Sequence, residues 1–499
     1  MKNVTRTTII LTALYSVLLF AGIVHHEMWL DETHHWLLAR DSGSLRELFH
    51  NSRYEGHPML WDMLLFLIAR FTQDPFAMQV MNFIVSVTGV FLFLRYFPFN
   101  TGLKAVTVFS YFIFYEYGVI SRNYAIAFLF LVATLKLFED RRKHFLLFSV
   151  MLALLAQTHL FASVIAGGLF AFAAWENYFR RSEGRFSNFY AGATIVALSF
   201  LLLVPEIIPP ADHFLFRYDP DPMISFKRFG KALSVLWKGL FPVPDFGSPH
   251  PWNSNWFISA SKSVSVIPAA LSWLVPGMLL MKKRPVAVFY YSTAFVIVLF
   301  IYFSPLIVAS RHCGFFFLLL IAGLWMMKTY KPGTVYNRKV FRWMENCSEK
   351  YSPVILAVLF FCQLVSSVFL FYTDWKRPFS NGKYVAEWLK ADAVKEPVLV
   401  SQMSAGPSIC AYTGGTAFYP ENNCVHSFCF WNTDPFIIPD DSLLVRAHRL
   451  AANDPSRKAL LVLNFRLDSV AMPPHVRFVR TFTGAMVRPE DYYIYEAEP

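Results

Sequence analysis

Two carboxylates, Asp31 and Glu32, stand side by side in the stretch MWLDETHHWLLARDS (28–42), directly after the first long apolar run. Charged side chains near a lipid bilayer are costly to bury, and this makes them candidates for function. A carboxylate held at the depth of the lipid headgroups can act as general base on an acceptor hydroxyl group. We therefore predict Asp31 and Glu32 to be catalytic, with a solvated pair of loop acids as the alternative.

Basic residues recur in four later motifs, YEGHPMLW (54–61), SRNYA (121–125), QTHLF (157–161) and SRHCG (310–314). An arginine fork matches the geometry of a phosphate group, and a helix that begins near residue 310 adds the favourable end of its dipole. We predict five phosphate-binding residues in these motifs: His57, Arg122, His159, Arg311 and His312. A turn histidine at His57, and an arginine at Arg122 that pairs with Glu116 at the interface, are the simpler alternatives.

The composition indicates that these residues belong to a membrane protein. The chain is 55% hydrophobic and only 16% charged, and its apolar runs repeat at membrane-spanning length. The net charge of +11 does not indicate nucleic-acid binding, because the lysines and arginines form short clusters between apolar runs, as at 141–143 and 282–284. Such clusters are typical of cytoplasmic loops. The first run, 7–24, lacks a convincing cleavage site, so we interpret it as a retained helix with its N-terminus inside.

We predict a mainly α polytopic protein with eleven spans. The run 58–71 is not counted, because about 21 Å of helix is too short for a roughly 30 Å hydrocarbon core; it is predicted to be re-entrant or interfacial. The basic clusters then face the cytoplasm, and the functional motifs face outward on the loop 26–76, the loop 209–262 and short turns. The predicted spans are 7–25, 77–94, 104–120, 122–138, 144–157, 159–178, 188–208, 264–281, 286–306, 313–329 and 351–372.

The chain changes character after residue 372, which separates a membrane domain (1–372) from a C-terminal domain (373–499). Helical and strand patterns alternate in the second part and predict a small exported α/β domain. Its three cysteines, Cys410, Cys424 and Cys429, either form one disulfide or remain buried thiols. The predicted helices are 381–391, 405–413 and 442–453, and the predicted strands are 397–402, 459–465, 478–483 and 491–496.

The residues that follow Asp31 and Glu32 predict an amphipathic helix. Trp36, Leu37 and Leu38 are expected to lie in the membrane interface, and His34 and His35 to contact headgroups or water. The sequence contains no Gly-rich phosphate loop, no HExxH, no GxSxG and no Cys/His metal motif. A nucleotide-driven pump and a metallohydrolase are therefore disfavoured.

In their order along the chain, "WLDETHHWLLARDS", "GHPMLW", "EYGVISRNYAIAFLF", "THLF" and "RHCGFFFLLL" resemble motifs of the GT-C-type membrane glycosyltransferases. The resemblance is to the superfamily of protein O-mannosyltransferases and lipid A aminoarabinose transferases, and within it to bacterial members described only as family 39-like. It covers roughly residues 1–330, and its most specific part is the first-loop "DE" followed by "GHP". The C-terminal domain carries no part of it.

The resemblance implies transfer of a sugar, with inversion, from a polyprenyl-phosphate donor to an acceptor hydroxyl on a glycan, lipid or protein. Asp31 matches the family's catalytic base and Glu32 its neighbour, while His57 and Arg122 lie in motifs that line the same cavity. Several relatives carry an aspartate in the second outer turn; the nearest acid here is Glu116, a candidate second acid. Participation of a divalent metal is left open.

The predicted location is the bacterial inner membrane, with the N-terminus in the cytoplasm, the C-terminal domain outside and membrane lipids around the spans. Two other classes remain alternatives. A transporter or flippase for a lipid-linked sugar would use the same cations without chemistry, although no internal repeat is evident. A membrane scaffold whose exported domain binds a partner would leave the first-loop motifs without a role.

Overall fold

The structure is a computed structural model of the 499-residue chain. It describes residues 5–180, 184–213, 225–260, 266–303, 309–330, 339–392, 396–432, 437–468 and 472–499. Parts of the predicted loops 209–262 and 328–350 lie outside these ranges.

Nineteen α-helices form within the described residues. In chain order they are α1 Arg6–His25, α2 Leu30–Asp41, α3 Leu45–Ser52, α4 Leu60–Ala69, α5 Phe76–Tyr96, α6 Thr101–Val108, α7 Tyr124–Phe138, α8 Phe145–Ala156, α9 Leu160–Phe179, α10 Phe189–Ile207, α11 Phe226–Leu240, α12 Trp256–Ala260, α13 Val266–Leu280, α14 Arg284–Phe303, α15 Ser310–Thr329, α16 Lys339–Lys376, α17 Gly382–Ala391, α18 Gly406–Thr413 and α19 Asp440–Asn453.

Seven helical segments among the described residues are long and apolar enough to cross a membrane. Each overlaps one or two of the predicted spans. Three further apolar helices, α4, α7 and α8, are shorter. The seven segments are Arg6–His25, Phe76–Tyr96, Leu160–Phe179, Phe189–Ile207, Ala269–Phe303, Ser310–Thr329 and Ser348–Lys376.

The structure adds detail at three places that the sequence did not indicate. The predicted span 104–120 is divided, because α6 ends at Val108 and a π-helix, Tyr111–Val119, follows. Helix α16 begins at Lys339, so residues 339–350, which were assigned to the loop before the last span, are helical. The loop 209–262 contains the 15-residue helix α11, whose Ala232, Leu236 and Leu240 are buried.

Helix α11 packs against α15, which begins with the motif SRHCG. A Cβ atom at Gly239 would lie 2.3 Å from the carbonyl oxygen of Cys313. Glycine is therefore required for this close approach between the two backbones. The contact joins the long loop to the start of α15, where two of the predicted phosphate-binding residues are found.

The C-terminal domain contains one mixed six-stranded sheet. Its strands are β1 Val398–Ser401, β2 Ala417–Tyr419, β3 Cys424–His426, β4 Ala459–Leu463, β5 Val476–Phe482 and β6 Tyr492–Ala497, in the order β3-β2-β1-β4-β6-β5. Strand β1 is parallel to β2 and β4, while the other pairs are antiparallel. The predicted alternation is confirmed, although the three-residue strands β2 and β3 were missed because they are too short to show periodicity.

The sheet domain packs directly on the first loop, since α18 covers α2. Helix α2 forms as predicted, but Trp36, Leu37 and Leu38 are at most 1% exposed and lie within the protein rather than in a lipid interface. The cysteines Cys410, Cys424 and Cys429 are all free thiols, so none of them forms the disulfide that was considered. The C-terminal domain is therefore held by packing and hydrogen bonds.

Candidate functional site

The carboxylate of Asp31 lies between two arginines. Its Oδ2 atom is 2.8 Å from Nη1 of Arg122 and 2.6 Å from Nη2 of Arg311. Asp31 is one-fifth exposed, whereas Arg122 is 4% exposed and Arg311 15% exposed. Burial raises the pKa of Asp31, but the two guanidinium groups outweigh it and lower the pKa to about 2. Residues that are far apart in the sequence thus meet in one site. Arg122 pairs with Asp31 rather than with Glu116, the partner considered as the simpler alternative.

Glu32 is fully buried and has other partners than Asp31. Its Oε1 atom accepts the backbone N–H of Ser121 at 2.6 Å, and its Oε2 atom lies 3.1 Å from Nε2 of His26. The same carboxylate accepts the N–H of Trp29, the residue that caps α2. Since both oxygens are engaged, Glu32 joins the start of α2 to the residue before Arg122 and orients the site.

His26 connects this carboxylate to the end of α16. Its Nδ1 atom is 2.8 Å from Oδ2 of Asp374, and the same oxygen accepts the hydroxyl of Tyr115 at 3.1 Å. Burial alone would lower the pKa of His26, but the carboxylates of Asp374 and Glu32 raise it well above its ordinary value. His26 is therefore an imidazolium held between two carboxylates. Neither His26 nor Asp374 was predicted as a site residue, because nothing in their local motifs indicates a partner 348 positions away.

Arg122 and His159 are fixed relative to each other by a neighbouring amide. Nδ2 of Asn123 donates to the carbonyl of Thr158 at 2.8 Å. Both turns are buried, and the bond joins the motif SRNYA to the motif QTHLF. The turn before α7 and the turn before α9 therefore carry their functional side chains into one site.

Arg311 is held by aromatic rings of the first loop and of the loop 209–262. Its guanidinium carbon lies 5.2 Å from the ring centroid of Trp29 and 5.7 Å from that of Trp252, which are cation–π distances. Next to it, the N–H of Ser310 donates to Oδ1 of Asn253 at 3.1 Å. Trp252 was not predicted as a site residue, although the Pro- and Trp-rich composition of its loop was evident.

Three histidines lie beside the arginines. The ring centroids of His57 and His159 are 5.2 Å apart, and those of His159 and His312 are 5.6 Å apart. Burial, Arg122 and His35 lower the pKa of His57 to about 4, so this ring is neutral near pH 7. The predicted cluster of basic residues is thus present as two charged arginines with at least one neutral histidine.

The partners of the ring nitrogens define the tautomers. Nδ1 of His57 lies 2.6 Å from the carbonyl of Glu55 and must carry the proton, which leaves Nε2 as an acceptor. Nδ1 of His159 accepts the N–H of Phe161 at 3.1 Å and caps α9, so the proton is on Nε2. That Nε2–H is buried and has no partner among the described residues.

The three histidines are close enough to hold one metal ion, since their ligand nitrogens lie within 4.8 Å of one another. His57 fits this role, because a metal-binding histidine commonly donates its other N–H to a carbonyl. His159 does not, because its Nε2 carries a proton in the tautomer that caps α9. Two adjacent guanidinium groups also oppose a cation. The donor set fits an anion better than a metal.

Glu116 lies on the π-helix and is fully buried, not in an outer turn as predicted. Its Oε2 atom accepts hydrogen bonds from the hydroxyl of Tyr111 and, at 3.0 Å, from Nε1 of Trp252. Its Oε1 atom has no partner among the described residues. Glu116, the candidate second acid, therefore contacts Arg311 only through Trp252, whose ring it holds by a hydrogen bond.

The expectation for His34 and His35 is wrong. Both rings are at most 3% exposed. Nε2 of His34 is 2.7 Å from Oε1 of Glu55, and Nδ1 of His35 is 2.6 Å from Oδ1 of Asp62. These pairs join α2 to the loop that carries His57 and to α4, so both histidines serve the internal packing of the first loop.

Comparison with protein-family models finds no match, and comparison with curated proteins finds no significant match. The fold and the site define a mainly helical protein with a small C-terminal sheet domain, whose described residues include seven segments of membrane-spanning character. Its site is a carboxylate between two arginines, with three histidines beside them.

Proposed function

We propose that this chain is an inverting glycosyltransferase that moves a sugar from a polyprenyl-phosphate donor to an acceptor hydroxyl on the outer face of a bacterial inner membrane. The observation that carries the proposal is the position of the Asp31 carboxylate between Arg122 and Arg311. A carboxylate of this kind suits a base, and two converging guanidinium groups suit a phosphate. The resemblance of the first-loop motifs to GT-C enzymes supports the same assignment.

In the proposed reaction the donor phosphate takes over the hydrogen bonds of Arg122 and Arg311 and releases the Asp31 carboxylate. The oxygen of the acceptor hydroxyl attacks the anomeric carbon while its proton passes to Asp31. The bond between the anomeric carbon and the phosphate oxygen breaks, and polyprenyl phosphate leaves with the electron pair. The arginines and the Nε2–H of His159 stabilise the charge that develops on this leaving group.

The exchange of partners explains how a carboxylate with a pKa of about 2 can act as base. While both guanidinium groups contact Asp31 it binds protons weakly. Once a phosphate takes up these cations, their stabilisation of the Asp31 anion is lost and its basicity rises. The arginines thus form ion pairs with Asp31 in the free enzyme and with the donor phosphate in the complex.

The proposed topology has eleven spans, with the N-terminus in the cytoplasm and both the site and the C-terminal domain outside. The seven long segments supply eight of these spans, since Ala269–Phe303 comprises the helices α13 and α14. The shorter α7 and α8, together with α6 and the π-helix, supply the remaining three. Helix α4, with only ten residues, is assigned as re-entrant.

The test is Asp31→Asn in purified protein or membranes, with transfer from a polyprenyl-phosphate sugar followed by mass spectrometry. We expect a loss of roughly 10²- to 10⁴-fold, the usual contribution of a general base. Glu47→Gln, an exposed carboxylate of the same loop, is the control and should retain activity. Wild-type transfer by a folded Asp31→Asn variant would remove Asp31 as the base, whereas transport of a lipid-linked sugar without product would favour the transporter.

A further inference from the structure

The backbone immediately before Asp31 is held by the C-terminal domain. The N–H of Met28 donates to the hydroxyl of Tyr412 at 2.8 Å, and the N–H of Leu30 donates to Oε1 of Glu490 at 2.6 Å. Between them, the N–H of Trp29 donates to Glu32. Three consecutive amides that precede the proposed base are therefore satisfied by side chains, and two of these side chains come from beyond residue 400.

A side chain of the first loop, that of Glu27, also accepts hydrogen bonds from the C-terminal domain. Oε2 of Glu27 accepts the N–H of Phe379 at 2.9 Å, and Oε1 of the same residue accepts the hydroxyl of Tyr384 at 2.7 Å. Both Glu27 and Phe379 are at most 3% exposed. Four hydrogen bonds thus join residues 27–30 to the C-terminal domain, and we name this set the loop clamp.

Glu490 is the acidic member of the loop clamp on the side of the C-terminal domain. It is fully buried, on a one-turn 3₁₀ helix before β6. Its second oxygen, Oε2, accepts the hydroxyl of Ser380, which itself accepts the N–H of Gly382 at 3.0 Å. The carboxylate is therefore fixed by the start of α17 and cannot rotate away from Leu30 without leaving buried groups unpaired.

The position of Leu30 decides where Asp31 points. Leu30 is the first residue of α2, and its N–H is one of the donors that a helix leaves without an internal partner. Asp31 follows at the next position, and Oδ2 has to stay within hydrogen-bond distance of two arginines from other elements. A shift of the helix start would displace Asp31 relative to both.

We infer that Glu490 is a positioning residue, through which the C-terminal domain holds Leu30 and so sets the position of the Asp31 carboxylate for catalysis. The inference rests on the proposed function for its catalytic readout. It assigns the C-terminal domain to the catalytic unit, a role that the sequence of this domain does not indicate. Glu490 itself does not touch the reacting atoms.

The experiment compares four variants of the full-length protein in nanodiscs: Glu490→Ala, Glu490→Gln, Tyr412→Phe and the control Glu421→Ala. Glu490→Gln is the conservative variant, because the amide oxygen that it introduces still accepts the N–H of Leu30. Tyr412→Phe removes the acceptor for Met28 and keeps the ring. Glu421 is a buried carboxylate of the same domain, 4% exposed, whose partner is the hydroxyl of Ser401 at 2.6 Å rather than the first loop.

We expect Glu490→Ala to lower kcat by roughly 10- to 100-fold, since small displacements of a reacting group cost up to about 10²-fold. The donor KM should change little, because the phosphate ligands remain. Glu490→Gln should restore most of kcat, and Tyr412→Phe should show a smaller fall than Glu490→Ala. Glu421→Ala should keep kcat even where it lowers thermal stability. Equal losses in Glu490→Ala and Glu421→Ala, or wild-type kcat in a folded Glu490→Ala, would overturn the inference.

A second readout does not depend on catalysis. Amide hydrogen exchange in a peptide covering residues 27–33 should accelerate in Glu490→Ala and stay near wild type in Glu490→Gln and Glu421→Ala. If the wild-type protein transfers no sugar from a polyprenyl-phosphate donor, the proposed function fails and the exchange measurement alone decides whether Glu490 holds Leu30. Unchanged exchange in Glu490→Ala contradicts the loop clamp in either case. If Glu490→Ala does not fold, the loop clamp is tested with Tyr412→Phe instead. Amide hydrogen exchange at Met28 should then accelerate, and unchanged exchange contradicts the loop clamp.

Discussion

Oδ2 of Asp31 and Nη2 of Arg311 are 2.6 Å apart, although 280 positions separate the two residues in the chain. The same oxygen also contacts Arg122, so one carboxylate pairs with two guanidinium groups and a net positive charge remains. An incoming phosphate has to compete with Asp31 for these cations. The ion pairs therefore couple donor binding to release of the proposed base.

This competition predicts that Asp31→Asn binds polyprenyl phosphate more tightly while it loses transfer. The substitution removes the anion that occupies both arginines, and hydrogen bonds to charged groups are worth about 1.5–3 kcal/mol, which corresponds to roughly 10- to 100-fold in Kd. Arg311→Lys should weaken binding, because it loses the fork and keeps only the charge. Binding to nanodiscs that contain a labelled polyprenyl phosphate measures both effects, and unchanged affinity in Asp31→Asn contradicts the competition.

The two ring nitrogens of His159 have different roles, which a substitution can separate. Its Nδ1 caps α9, and its Nε2–H is the buried donor without a partner among the described residues. Asparagine is among the best capping residues and supplies an acceptor in place of Nδ1, but nothing in place of Nε2. His159→Asn should therefore keep thermal stability while the donor KM rises by roughly tenfold, the value of one hydrogen bond to a charged group.

His159→Ala is the comparison, since it should lose the cap as well, at a cost of about 1 kcal/mol in stability. The same site predicts that added Zn²⁺ neither restores nor supports transfer after treatment with a chelator. Activity that requires a divalent ion and disappears in His159→Asn would instead assign the three histidines to a metal.

The pair of carboxylates around His26 predicts a pH-dependent contribution to stability. Because the pKa of His26 is raised above its ordinary value of 6.5, the contribution is complete below pH 6.5 and is lost as the pH rises through the raised pKa. His26→Gln should cost roughly 3 kcal/mol at pH 6, as expected when a buried ion pair loses one partner. The difference from wild type should shrink in the alkaline range.

Thermal unfolding in detergent between pH 6 and pH 10 measures this difference. His50→Gln, an exposed histidine of α3, is the control and should follow the wild type throughout. A difference between wild type and His26→Gln that grows with pH would show that the imidazole is neutral in the folded protein.

The proposed topology predicts that both ends of α4 lie on the outer side. A membrane-impermeant thiol reagent applied to intact cells should label Arg46→Cys and Gln73→Cys, and Lys143→Cys only after lysis. All three positions are exposed. Wild-type protein provides the background from its own cysteines. Labelling of Arg46→Cys and Gln73→Cys from opposite sides would make α4 a span and invert the helices that follow.

Much of the fold follows from periodicity. The long apolar helices and the alternation of helices and strands after residue 372 were predictable, because the pattern of apolar residues is local information. Helix α11 was not predicted; it lies within the stretch assigned as the loop 209–262. The division of the span 104–120 was missed as well, because the spacing of its apolar residues does not indicate where the backbone widens into a π-helix.

The sequence by itself determined the residue types of the site: the acid at Asp31, the arginines at Arg122 and Arg311, and the histidines of three turns. Their chemistry follows from the motifs, and the charge pattern predicts that they share one side of the membrane. Only the tertiary structure decided the pairing of these groups. It assigned Arg122 to Asp31 instead of Glu116, His34 and His35 to internal partners, and Glu490 to Leu30, because contacts between distant segments depend on how helices and sheet pack and leave no local signal in the chain.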